Sequence, residues 1–185
     1  MTGSMPKLTT RRVLAGTLVA TVACVAAGLT TTAAAQAVTP RCTTAGLEVW
    51  LGVGGGGATA GSTFYPMELT NVSHRTCQLF GFPGVSAVAA GTQAGRPAAR
   101  DHSVPARTVT LHAGATAHVV LQITNVGVFT PAACRPVTAG GLRVFPPGAT
   151  RATTVPFRFR ACSASGPVFL HVTAVQPRVG VPGHP

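Results

Sequence analysis

Between residues 38 and 176 apolar residues recur at every second position in short runs that Gly or Pro interrupts roughly every ten residues. This period-two alternation predicts an all-β domain, since a helix would repeat its apolar positions every three to four residues. "LEVWLGV" places Leu47, Val49, Leu51 and Val53 on one face and Glu48 and Trp50 on the other. "FYPMELTN" places Tyr65, Met67 and Leu69 opposite Phe64, Pro66 and Glu68. The "GGGGATAG" between them is too glycine-rich to hold a strand, so the two runs are expected to form a first hairpin. "TCQLFGF" and "VSAVAA" are short strands on either side of a Pro83-Gly84 turn, and residues 91–106 read as a loop. "RTVTLHAG" and "ATAHVVLQITN" predict a second hairpin with Val109, Leu111, Val119, Leu121 and Ile123 inward. After an irregular "FTPAACRPVTAGG", a third hairpin is expected from "LRVFPPG" and "RATTVPFRF" around Pro147-Gly148, and "VFLHVTAV" is the last strand. "PFRFR" sets Phe157 and Phe159 on one face and Arg158 and Arg160 on the other, as an edge or outer strand would.

The ends change the domain picture. Lys7, Arg11 and Arg12, the apolar "VLAGTLVATVACVAAGL" and the small residues of "AAAQA" make residues 1–37 a secretory signal peptide with a twin arginine. Cys24 lies inside the apolar run, with Thr21 where a lipid-attachment site usually carries Leu, and is not expected to be lipidated. The mature chain would then hold no transmembrane segment. Residues 38–176 form one β-sandwich domain and 177–185 a frayed tail. Export also interprets the remaining cysteines, Cys42, Cys77, Cys134 and Cys162, as two disulfides. Hairpin register sets Cys42 near Cys77 and Cys134 near Cys162, each pair at the open end of its own hairpin.

The series "CTTAGLEV", "GSTFYPMELTNVSHRTCQLFGFPGVSAV", "VTLHAGATAHVVLQITN", "LRVFPPG" and "ACS" resembles the secreted actinobacterial family called domain of unknown function 4232. The resemblance spans residues 42–175 and implies an exported, immunoglobulin-like antiparallel β-sandwich with paired cysteines. It implies no activity and transfers no functional residues.

Candidate chemistry is sparse. His74 precedes Cys77 by three residues, a spacing that would suit an activated thiolate, but an oxidising compartment and a partner at Cys42 favour the disulfide. Asn71 opens an "NVS" sequon, read as a strand end before a polar turn. A turn near Ala58 would set Glu48 directly across from Glu68 beside Trp50, the one arrangement here that could serve a glycoside hydrolase. The second hairpin would set His112 across from His118, a two-ligand and therefore weak copper or zinc candidate. No motif calls for a cofactor.

Charge bears on partners. After Arg12 the chain has eleven arginines, no lysine, and only Glu48, Glu68 and Asp101 as acids. The arginines are scattered and Trp50 and Tyr65 are each the only residue of their kind, which argues against nucleic-acid binding. The reading that follows is a secreted or cell-envelope, non-enzymatic binding module whose partner is an anionic envelope polymer or an extracellular protein, held by diffuse attraction in which pairs such as Arg96/Arg100 and Arg158/Arg160 contribute alike. One alternative is a protease inhibitor presenting "FTPAACRPV"; another is an extracellular hydrolase using Glu48 and Glu68.

Overall fold

The computed structural model describes residues 38–52, 58–59 and 61–180, together with Thr2. The signal peptide with Cys24, Val53, most of the glycine connector and residues 181–185 lie outside the described residues.

The strands are β1 (Leu47–Leu51), β2 (Ala58–Thr59), β3 (Ser62–Asn71), β4 (Cys77–Phe80), β5 (Gly84–Ala89), β6 (Thr92–Ala94), β7 (Ala99–Asp101), β8 (Thr108–Leu111), β9 (Thr116–Thr124), β10 (Pro136–Phe145), β11 (Thr153–Cys162), β12 (Leu170–Thr173) and β13 (Gln176–Pro177). Among the described residues one α-turn, α1, spans Pro131–Cys134. One sheet runs β1-β3-β9-β12-β7, with β2 beside β3 and β13 beside β9; a second runs β11-β10-β5-β6; β4 and β8 pair alone. The inward faces share one core: Met67, Leu69, Val119 and Leu121 from the first sheet, Val85, Ala87, Leu142, Val144 and Val155 from the second, and Leu79, Val109 and Leu111 from the β4-β8 pair. The fold is therefore sandwich-like and all-β, and Cys42–Cys77 and Cys134–Cys162 are both disulfides.

The first hairpin forms, but Trp50 rather than Glu48 opposes Glu68, and Glu48 opposes Thr70. The difference preserves each strand's facing because side chains alternate with period two. The third hairpin differs by one residue from the register that a turn centred on Gly148 would set: Leu142 opposes Val155 rather than Thr154, and Val144 opposes Thr153 rather than Ala152. Burial explains this, since opposed residues share a face and only the observed register sets buried Val155 with buried Leu142 while leaving Thr154 outside. An irregularity between Ala139 and Gly141 then carries β10 back through Pro136, so much of the segment expected to be irregular is strand.

The second hairpin does not form. β8 pairs with β4, Leu111 against Cys77, while β9 pairs along its length with β3, from Thr70 opposite Thr116 to Ser62 opposite Thr124. On its other edge β9 holds β12 and β13, leaving β8 no edge to join. Asn71, the last residue of β3, organises the reversal between β8 and β9. Its amide Nδ2 donates to the carbonyls of Arg75, Leu111 and His112 at 2.8, 3.0 and 3.2 Å. Its Oδ1 accepts from the Ser73 N–H and hydroxyl, and its backbone bonds to Ala115 O and Gly114 N.

The expected loop at 91–106 contains β6, paired with β5, and β7, which runs parallel to β12. The purely antiparallel expectation fails at that edge. A parallel bridge between Arg41 and Gln78 is a second departure. The start of the segment expected to be a frayed tail is instead paired: Gln176 and Pro177 pair with His118 and Ala117, and Gly180 is buried. Among the described residues no helix is long and apolar enough to cross a membrane.

Candidate functional site

The N-terminal segment crosses the β10–β11 turn, and the two form the walls of a groove. Cys42 is tied to Cys77, its N–H donates to Gln78 O at 3.0 Å, and Gln78 N–H donates to Pro40 O at 2.9 Å, so Arg41 is fixed alongside β4. Thr43 then caps a 3-10 turn over Thr44–Gly46, its hydroxyl accepting from Gly46 N–H. On the other side Pro146 O accepts from Ala149 N–H and closes the turn before β11. Gly148 in that turn has φ +75°, and a Cβ there would lie 2.8 Å from the Arg41 Nη1. Glycine thus serves both the turn and the close approach of the guanidinium. The Thr44 hydroxyl donates to Arg151 O at 2.7 Å and joins the two walls.

Between the walls is a groove of 510 Å³, lined by Arg41, Cys42, Thr43, Thr44, Ala45 and residues 148–151. None of these residues is acidic, Arg41 and Arg151 are exposed, and Thr43 and Thr150 add hydroxyls. A guanidinium presents N–H donors in a planar fork that matches carboxylate and phosphate oxygens. Arg41 also borders a smaller, 210 Å³ hollow with Gln78, Leu79, Phe80, Thr108 and Pro147, and Phe80 is 61% exposed beside it.

The pairings expected from the sequence are mostly not assembled. Glu48 is exposed while Glu68, on the same outward face of the hairpin, is 1% exposed beneath the C-terminal segment. The two are offset by two residues in register, so no open pair of carboxylates stands beside Trp50. Burial raises the Glu68 carboxyl above its ordinary 4.5, against the lowering effect of a hydrogen bond from Gly180 N–H and the charge of His118. His112 and His118 are separated by the failure of the second hairpin: His112 Nδ1 lies 3.2 Å from the Thr76 hydroxyl, and His118 Nδ1–H donates to Arg178 O at 2.9 Å. Among the described residues no three His, Cys, Asp or Glu side chains could hold a metal ion. His74 is an exposed turn residue and Cys77 is bridged, so the thiolate reading falls.

The segment considered for protease inhibition holds α1, with Cys134 buried and Arg135 left-handed at φ 48°. Its centre is helical rather than an extended strand that could add to another protein's sheet edge. Arg158 and Arg160 alternate outward on β11 while Phe157 stacks on Phe159 and meets Tyr65 edge-on at 5.1 Å. The Arg100 guanidinium lies 5.6 Å from the Phe82 ring centroid, a cation–π contact distinct from exposed Arg96. Sequence reasoning missed Arg41 with Arg151. The only signals were the half-cystine next to Arg41 and the Pro147-Gly148 turn, which say nothing of each other until the sheets stack.

Comparison with curated proteins finds no match. A family model does match residues 42–176, most of the chain, so the protein belongs to the family described as domain of unknown function (DUF4232).

Proposed function

We propose that this chain is a non-enzymatic binding domain of the cell exterior that takes an anionic polymer, phosphate- or carboxylate-bearing, across the groove between Arg41 and Arg151. One observation carries the reading: two exposed guanidinium groups flank a single groove that has no acidic lining residue. The disulfides support an oxidising compartment, and the excess of arginine over acid favours an anionic partner. Phe80, beyond Arg41, offers a ring against which an apolar or sugar face of the polymer can lie.

The experiment is a binding titration with a polyphosphate chain and a polyuronate chain as probes. Charge-assisted hydrogen bonds are each worth about 1.5–3 kcal/mol, so Arg41→Glu with Arg151→Glu is expected to weaken binding by about 100-fold or more. Arg158→Glu with Arg160→Glu changes the net charge equally and is expected to weaken it by about threefold at most, through screened long-range attraction. Equal losses from the two double variants would return the molecule to the diffuse attraction that scattered arginines predict, and defeat the groove.

A further inference from the structure

The C-terminal segment covers a carboxylate that a sheet surface would ordinarily leave in water. Gly180 N–H donates to Glu68 Oε1 at 2.8 Å, while Glu68 Oε2 is buried with no hydrogen-bond partner among the described residues. The contact has no room for a side chain: a Cβ on Gly180 would lie 2.6 Å from Pro66 Cβ, 3.1 Å from Glu68 Oε1 and 3.1 Å from His118 Cδ2. The other anchors of the segment are few: a two-residue ladder, a 3.4 Å hydrogen bond from Gln176 Nε2 to Pro105 O, and His118 holding Arg178 O, while Val179 and the Arg178 side chain point to solvent.

We propose that Gln176–Gly180 is a releasable strap, closed over Glu68 while that carboxyl is neutral and lifted when it carries charge. A buried carboxylate with an unsatisfied oxygen is costly, and lifting the strap restores water to it. The charged and titratable groups around Glu68 are few. From β9 His118 stands directly opposite; from β1 uncharged Trp50 is opposite and Glu48 lies two residues along; the strap brings Arg178, its side chain exposed. Protonated His118 favours the ionised carboxyl and opposes the effect, but burial is the larger influence on Glu68. Because the carboxyl binds its proton more tightly under the strap, closure is complete at acid pH. It weakens as pH rises from 4.5 through the raised value. Opening bares Glu68 and His118 side by side on the sheet.

The test follows the Gly180 amide of the full chain by hydrogen exchange between pH 4 and 8, corrected for the intrinsic rate. Protection is expected to fall about tenfold for each pKa unit by which closure raises Glu68, and to be level in Glu68→Gln. In Gly180→Ala the strap amides should exchange rapidly at every pH and Glu68 should titrate near 4.5, with the β9 amide of Leu121 still protected. Protection independent of pH in the unaltered chain, or the same fall in Glu68→Gln, would overturn the strap. Should Glu68→Gln fail to fold, the unaltered chain still decides: Gly180 protection must begin to fall near 4.5 and level off where the Glu68 carboxyl carbon titrates, and a fall outside that window refutes the proposal.

Discussion

Loss of both disulfides is expected to remove about 7 kcal/mol of stability, enough to unfold the domain at physiological temperature. Cys42–Cys77 and Cys134–Cys162 close loops with sequence separations of 35 and 28. In the chain-entropy account each constrains the unfolded chain by about 3.5–4 kcal/mol, and domains of this size have only about 5–15 kcal/mol in all. All four cysteines are buried, so replacing a pair by alanine adds a packing loss to the entropic one. Each double variant, Cys42→Ala with Cys77→Ala or Cys134→Ala with Cys162→Ala, should therefore melt about 10 °C or more below the parent, and the reduced four-cysteine protein should show no cooperative melt at all. The Cys42–Cys77 variant should also weaken anion binding, because that bridge tethers the residue next to Arg41. A reduced protein that melts within a few degrees of the oxidised one would show that the core alone holds the sheets, and would remove the need for an oxidising compartment.

The next largest effect belongs to Asn71. Its fully buried side chain bonds five backbone or hydroxyl groups from the turn after β3 and the turn after β8. Asn71→Leu strands those partners away from water, at an expected cost of about 3–5 kcal/mol in urea unfolding. Asn71→Asp is the sharper variant. An ionised aspartate would face the carbonyls of Arg75, Leu111 and His112 with no hydrogen to offer, so the folded state should raise its pKa. Its native state then holds the proton more tightly than the unfolded chain, and stability should be greatest below the unfolded value and fall as pH rises through the folded one. A loss under about 1 kcal/mol in Asn71→Leu, or a pH-independent Asn71→Asp, would mean that the two turns hold themselves. The same hydrogen bonds occupy the amide of the "NVS" sequon, whose asparagine is not on the surface.

Alternation along the chain was sufficient to identify the longer strands and their inward faces, though not β6, β7, β13 or the first half of β10: Met67, Leu69, Val109, Leu111, Val119 and Leu121 are all buried as the pattern requires. The cysteine partners were legible as well, since a covalent bridge needs only that two segments end near each other and tolerates a register error of one or two residues. Register and strand partners were not so forgiving. A turn such as "HAGATA" reverses the chain whether or not the flanking strands pair, and it took the competition for the edges of β9, won by β3, β12 and β13, to send β8 to β4 and part His112 from His118. Glu68 shows the same limit from another side. Its place in an alternating strand is plain in "PMEL", but whether an outward-facing residue meets water depends on what crosses the sheet a hundred residues later. The apolar period, then, is a local property written in consecutive residues. The Arg41–Arg151 groove and the cover over Glu68 join residues 110 and 112 positions apart, and only the stacking of the two sheets and the return of the C-terminal chain could bring them together.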